Sequence, residues 1–194
     1  NLKALKPGQS LWLPGGFKSE KMTQEMIYII EKQNNGRFAF TVVNTGEGIE
    51  NHPGFVFHGK AKFQTHFTKE NIREEDICQN EFIESILEMQ LSFDWDYKTT
   101  TAENIYKGLF PYLKGSEPKK MDPKRFPEFY QGKQKSATTS LMKALFASLR
   151  QDCLRKGVTF KEGLKTYKRI KFFYTANSLR EAYHDFSKNA FCKS

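Results

Sequence analysis

Cysteine and histidine are the side chains through which this chain could carry out covalent chemistry, because a thiol nucleophile needs a nearby base. The chain has three cysteines and no Cys-x-x-Cys pair, so we expect reduced thiols in a cytoplasmic setting. Cys78 precedes a predicted helix, whose start can activate a thiol, whereas Cys153 should lie in the core and Cys192 in the tail. Three histidines offer Cys78 an unspecific choice of base: His52, His58 and His66. An active cysteine hydrolase or acyl transferase that uses Cys78 is therefore one open interpretation.

Other motifs that resemble binding sites have simpler structural explanations. The histidines lack the spacing of zinc ligands on a helix. The acidic run Glu74-Glu75-Asp76 is typical of a helix start, and Asp94-Trp95-Asp96 is typical of a loop anchored by its tryptophan. Gly15-Gly16 and Gly46-Glu47-Gly48 match no phosphate-binding loop and are interpreted as turns. We expect neither a metal ion nor a cofactor.

The first part of the chain has the pattern of an antiparallel sheet. Residues 26–32 and 37–44 are rich in β-branched and aromatic residues, and Asn34-Asn35-Gly36 between them favours a tight hairpin turn. Alternation over 60–68 predicts a third strand with one buried face. A short edge strand, 11–13, should stop at Pro14-Gly15-Gly16, a strong turn signal.

The second part has helical periodicity. Helices are predicted over four segments, with one or two helices in the last: 79–91, 101–113, 136–156 and 160–189. A loop rich in proline and basic residues, 114–135, separates the second from the third, and a loop of this length is usually functional or mobile. The fold class predicted is α+β, a single domain over 1–194 in which a sheet-rich part, 1–69, packs against a helical part, 70–194.

Charge is distributed unevenly along the chain. Residues 1–97 carry ten Lys and Arg against fourteen Asp and Glu, whereas residues 98–194 carry twenty-one against eight. This polarity favours an acidic protein partner. Nucleic-acid binding is an alternative if the lysines of 114–135 and 156–171 converge on one face, and a solvated lysine-rich surface is the simplest explanation. The chain has no apolar run near the ~20 residues of a membrane span and no leader pattern, so we expect a soluble protein.

Two groups of motifs resemble a known family. The first consists of Leu13-Pro14-Gly15-Gly16, Met26-Ile27-Tyr28 and Asn44-Thr45-Gly46-Glu47-Gly48, and the second is Gln134-Lys135-Ser136-Ala137-Thr138-Thr139-Ser140-Leu141. Together they resemble a circularly permuted, papain-like cysteine-peptidase-like domain of the kind found in large proteins of intracellular bacteria. The resemblance covers residues ~11–155 and implies a papain-like fold. It also implies a larger bacterial parent protein, with the host cytosol after secretion as an alternative compartment.

The resemblance assigns four positions to the catalytic machinery. Gln24 occupies the position of the base, where the family has Gly-His-Ala-Met and this chain has Thr23-Gln24-Glu25-Met26. Thr139 occupies the position of the nucleophile, where the family has Gly-Thr-Cys at the start of a helix. Asn44 matches the residue that orients the base, and Gln134 matches the oxyanion donor.

The substitutions at the first two positions remove the chemistry. Glutamine cannot accept a proton at neutral pH, and a threonine hydroxyl without a base is a very poor nucleophile. The resemblance therefore implies a pseudoenzyme with a protein-binding or regulatory role. The alternative is that Thr138 or Thr139 only caps the long helix, as hydroxyls commonly do.

Overall fold

The computed structural model describes residues 2–18, 23–91, 101–134, 140–157 and 159–191. The strands are β1 Ser10–Lys18, β2 Thr23–Lys32, β3 Phe38–Val43, β4 Gly54–Phe57, β5 Lys60–Gln64, β6 His66–Ile72 and β7 Tyr130–Gln131. They form a four-stranded antiparallel sheet in the order β1-β2-β3-β6 and a three-stranded antiparallel sheet in the order β4-β5-β7. The predicted α+β class is confirmed, with two small sheets.

The helices follow the first sheet along the chain. They are α1 Glu74–Ile77, α2 Asn80–Leu91, α3 Phe110–Tyr112, α4 Ser140–Lys156 and α5 Phe160–Phe191. A π-helical turn, Asn104–Leu109, leads directly into α3. Short 3-10 turns lie at Leu2–Ala4, Ile49–Asn51 and Pro127–Phe129. No helix among the described residues is long and apolar enough to cross a membrane.

The predicted hairpin of residues 26–32 and 37–44 is present. β2 pairs with β3 from Ile27 opposite Val43 to Lys32 opposite Phe38. Gly36, in the turn between them, has a φ of +80°, which glycine adopts without a steric penalty. The Asn-Gly signal therefore predicted both the turn and the pairing.

The first strand does not stop at Pro14-Gly15-Gly16, as the turn signal predicted. β1 continues through these residues and pairs with β2 as far as Lys18 opposite Thr23. Both glycines are needed because the two strands come too close for a side chain. A Cβ on Gly15 would overlap the Tyr28 ring, and a Cβ on Gly16, whose φ is +135°, would overlap the backbone carbonyl of Gln24.

The single strand predicted over 60–68 is two strands in different sheets. β5 ends at Gln64 and β6 begins at His66, so that Thr65 forms the corner between the sheets. Apolar and polar residues continue to alternate in the sequence across this corner, which is why periodicity alone did not reveal it. In the structure Gln64, Thr65 and His66 are all buried, so the prediction of one buried face and one exposed face is wrong at the corner. Strands β4 and β7 were also not predicted.

The four-stranded sheet is covered on both faces. On one face a phenylalanine-rich core packs against α2 and the π-helical turn, and the Phe40 ring lies 5.4 Å from the Phe82 ring and 5.6 Å from the Phe110 ring. On the other face Ile27 and Val43 pack against Ala144 of α4. β2 therefore presents alternate side chains to two different layers.

Contacts divide the chain into two compact units at Ser148 and Leu149. The first unit contains both sheets, the core and the first turns of α4. The second contains the end of α4 and all of α5, which begins with the capping box Thr159-x-x-Glu162. Within this second unit, α5 comes close to the end of α4 at Gly163, where a Cβ would overlap the backbone of Cys153.

Candidate functional site

The candidate site lies where β2 begins and β3 ends. Gln24 is 1% exposed and Asn44 is completely buried, although both carry polar amides. The Gln24 Nε2 lies 3.5 Å from the Asn44 Oδ1. Since β2 and β3 are neighbours in the sheet, the strand pairing brings together two amides that are twenty residues apart in sequence.

Every polar atom of the Gln24 amide has a hydrogen-bond partner. Its Nε2 donates to the backbone oxygen of Glu25 at 2.9 Å and to Asn44, and its Oε1 accepts from the backbone N–H of Glu47 at 3.0 Å. A buried amide that lost these partners would carry the full cost of its desolvation. Gln24 is therefore held in one orientation inside the sheet.

Asn44 connects the strand end to the following turn and to the π-helical turn. Its Oδ1 accepts from the backbone N–H of Gly46 at 2.9 Å, and its Nδ2 donates to the backbone oxygen of Glu47 at 2.7 Å and to the hydroxyl of Tyr106 at 3.2 Å. Gly46 must be a glycine because a Cβ there would overlap the Gln24 amide. The Gly46-Glu47-Gly48 segment is thus a turn, as predicted, and it closes over both amides.

His52 extends this hydrogen-bond chain away from Gln24. Its Nδ1 lies 2.7 Å from the backbone oxygen of Gln64, which can only accept, so the Nδ1 carries the proton. Its Nε2 then accepts from the Tyr106 hydroxyl at 2.7 Å. Burial lowers the pKa of His52 to about 4, because a charged imidazole would lose its hydration there. We call Gln24, Asn44, Tyr106 and His52 the buried amide cluster.

Gln134 joins the same region from the chain that leads to α4. Its backbone N–H donates to the oxygen of Thr45 at 2.8 Å, and its Oε1 accepts from the Thr45 hydroxyl at 3.0 Å. The preceding residue, Lys133, forms ion pairs with Glu47 at 2.6 Å and Glu50 at 3.3 Å. The segment before α4 is therefore fixed to the turn that follows β3.

The start of α4 is fixed to β2. The Ser140 Oγ accepts from the backbone N–H of Glu25 at 3.2 Å and lies 3.3 Å from the Glu25 carboxylate, and Ser140 is completely buried. Glu25 points towards the α4 side of the sheet, whereas Gln24 points towards the other side. Thr138 and Thr139 lie outside the described residues.

The structure thus brings three of the four predicted positions into one neighbourhood. Gln24 contacts Asn44 directly, and Gln134 contacts Thr45, the next residue along the chain. Sequence reasoning missed Tyr106 and considered His52 only as a possible base for Cys78, since a tyrosine and a histidine 54 residues apart carry no local signal of their contact. It also missed the contact between Glu25 and Ser140, which are 115 residues apart.

Neither described cysteine is in an activating environment. Cys78 ends α1 and does not begin the next helix, and burial, followed by the charge of Glu74, raises the pKa of its thiol. Burial also raises the pKa of the Cys153 thiol, and Cys153 is buried as predicted. His52 has both ring nitrogens engaged elsewhere. Cys192 lies outside the described residues.

The remaining motifs have structural partners. In the acidic run, Glu74 pairs with Lys32 at 2.7 Å and Asp76 pairs with Arg73 at 2.9 Å. Over the part of the chain that the structure describes, no cluster of His, Cys, Asp and Glu has the arrangement of a metal site. Asp94-Trp95-Asp96 lies outside that part.

Comparisons with family models, with curated proteins and with solved structures found no match to this chain.

Proposed function

We propose that this chain is a catalytically degenerate, papain-like cysteine-peptidase-like domain that acts as a protein-binding or regulatory module of a larger bacterial protein. The observation that carries the proposal is the burial and hydrogen bonding of the Gln24 side chain. At the position where the resemblance places the catalytic base, the chain has a buried amide whose polar atoms are all used in internal hydrogen bonds.

The contacts around Gln24 support this assignment of the site. A papain-like arrangement needs an orienting amide beside the base, and Asn44 lies beside Gln24. It also needs the nucleophile helix to begin near the base. Ser140, which follows Thr139, hydrogen-bonds to Glu25, which follows Gln24. The proposal requires the Thr139 side chain to reach Gln24 around the start of β2.

The same contacts support the loss of catalysis. Gln24 has no basic atom, and its amide is closed off by Asn44 and by the turn at Gly46 and Glu47. Moving it to make room for a substrate would leave several buried polar groups unpaired, at about 1–3 kcal/mol each. The site therefore serves as a structural connection between β2, β3 and the π-helical turn.

A protein partner fits the charge distribution better than a small substrate does. The excess of basic residues in the second half of the chain favours an acidic surface and speeds its association. In this proposal the domain binds its partner through basic residues, and no bond is cleaved.

The experiment that tests the proposal measures thiol reactivity and peptide hydrolysis on the native protein near pH 7. We expect no turnover of peptide substrates. We also expect slow labelling of the partly buried Cys78 and the buried Cys153 by an electrophilic probe, and fast labelling only after denaturation, because a raised pKa keeps each thiol protonated near pH 7. The matched control is Cys78→Ala. Fast labelling of the native protein that this variant abolishes would favour the active-hydrolase interpretation and overturn the pseudoenzyme.

A further inference from the structure

The outward face of α5 carries a row of basic side chains. Lys161, Lys165, Lys168 and Arg169 follow one another at spacings of four, three and one residues, which places them on the same side of the helix. All four are exposed, and together with Leu164 and Phe172 they line a shallow groove. With a rise of 1.5 Å per residue, the row covers about 12 Å of the helix.

These cations have no acidic partner among the described residues. The single acidic residue among 160–171 is Glu162, and its carboxylate accepts a hydrogen bond from the hydroxyl of Thr159 in the capping box. Over the described residues, no carboxylate lies within ion-pair distance of the four cations. By contrast, Lys107 and Lys133 elsewhere in the chain form ion pairs. The face therefore has a strong positive potential that suits a polyanion.

An aromatic ring lies in the same row as the cations. Phe172 is 76% exposed, and it follows Lys165 and Lys168 by seven and four residues, so its ring extends the line of ammonium groups. Phe173, beside it, is 62% exposed. A large apolar ring that remains this exposed beside several cations provides a surface on which a planar group can stack.

We propose that this face of α5 binds single-stranded nucleic acid, with phosphates at the row from Lys161 to Arg169 and a base stacked on Phe172. Lysine ammonium groups are point charges that bind phosphates without reading a sequence, and a single strand leaves its bases free to stack. A helix that lies on an anionic bilayer instead needs its apolar and charged side chains on separate faces, and on α5 Phe172 shares the face of the lysines. This binding does not depend on the papain-like assignment of the buried amide cluster, but it uses basic residues of the same half of the chain that favours an acidic protein partner.

The test is the fluorescence anisotropy of a labelled oligothymidylate of about 20 nucleotides, titrated with the full chain between about 50 and 200 mM salt. We expect binding that weakens steeply as salt rises. Lys165→Glu combined with Lys168→Glu should weaken it at least about tenfold and reduce the salt dependence, because two phosphate contacts are lost. Phe172→Ala should weaken it about fivefold with the salt dependence unchanged, because it removes stacking and no charge.

The matched control reverses the charge of two exposed lysines outside α5, in the variant Lys60→Glu combined with Lys124→Glu. The loss of binding free energy in this control should be less than half of the loss in the α5 pair. Circular dichroism of each variant establishes that it is folded. The proposal is overturned if the oligonucleotide does not bind at low salt, if the control pair weakens binding as much as the α5 pair, or if Phe172→Ala has no effect. It is also overturned if the chain sediments with phosphatidylserine-containing vesicles and does not bind the oligonucleotide.

Discussion

The buried amide cluster and the outward face of α5 are both built from polar side chains, but they treat those groups in opposite ways. In the cluster, the amides and the imidazole are satisfied by one another and by the backbone. On α5, the cations and Phe172 remain exposed to solvent. Where the protein satisfies its own polar groups, a substitution should reduce stability. Where it leaves them exposed, a substitution should reduce binding and leave stability unchanged.

The largest expected effect on stability is that of Asn44→Ala. This change removes the acceptor for Gly46 and the donor for Glu47 and Tyr106, and it leaves several buried groups without partners. We expect a loss of about 3 kcal/mol in the free energy of unfolding, measured by urea denaturation. The control is Asn51→Ala, since the exposed Asn51 also donates to a turn carbonyl, that of Gly48. It should cost less than about 1 kcal/mol, and equal losses would contradict the importance of burial.

The next effect tests the contact between the Gln24 amide and its turn. Gly46→Ala would place a methyl group against the Gln24 amide, and we expect a loss of about 2 kcal/mol from overpacking. Gly108→Ala is the control, since nothing lies within 4 Å of a Cβ there. It should be neutral or stabilising, because alanine favours a helix over glycine. In the background of Gln24→Ala, Gly46→Ala should cost markedly less, and an unchanged cost would show that the two side chains do not meet.

The pH dependence of stability tests the neutral state of His52. Its pKa is about 4 when folded and about 6.5 when unfolded, so the unfolded chain binds more protons in that window. The stability that the neutral His52 contributes is complete above pH 6.5, and it is lost as the pH falls towards 4. We expect a loss of about 1.5 kcal/mol between pH 7.5 and pH 5.5 from this residue. His52→Gln should remove that loss from the profile measured by urea denaturation at each pH, and an identical profile would contradict the assignment.

The smallest effect belongs to α5. Lys165→Ala and Phe172→Ala should each change the free energy of unfolding by no more than about 0.5 kcal/mol, because exposed side chains without internal partners contribute little. Thermal unfolding of the full chain measures this. A large loss for either variant would show that the side chain packs within the protein, and the contrast between the two regions would fail.

The sequence predicted those parts of the fold that depend on local signals. The Asn-Gly turn and the alternation on either side of it predicted the hairpin of β2 and β3, and the long apolar stripe predicted α4. The turn predicted at Pro14-Gly15-Gly16 is wrong, because the two glycines lie within β1 and make room for the Tyr28 ring and the Gln24 backbone. No local pattern in the sequence shows that these long-range contacts require glycine. The corner at Thr65 was missed because apolar and polar residues continue to alternate in the sequence while the pairing changes from one sheet to the other.

The candidate site was predictable only through a resemblance. Motifs matched Gln24, Asn44 and Gln134 to a catalytic arrangement, and the structure places these three residues near one another. The contact between Tyr106 and His52 could not be predicted, because the π-helical turn and the end of a 3-10 turn bring these residues together across 54 residues. The predicted start of the last helical segment at residue 160 is confirmed, and the capping box Thr159-x-x-Glu162 gives its physical reason.

The central claim is that Gln24 occupies the place of a catalytic base opposite Thr139, and restoring both residues tests it most directly. In the double variant Gln24→His with Thr139→Cys, the imidazole should be oriented by Asn44 and should stabilise a thiolate at the start of α4. Mass spectrometry of the alkylated peptide separates this thiol from the native cysteines. The account predicts a pKa below the ~8.5 of a free thiol and fast alkylation as the pH falls towards about 6, with Thr139→Cys alone lacking that reactivity. A thiol in the double variant that titrates like an ordinary exposed cysteine would contradict the account.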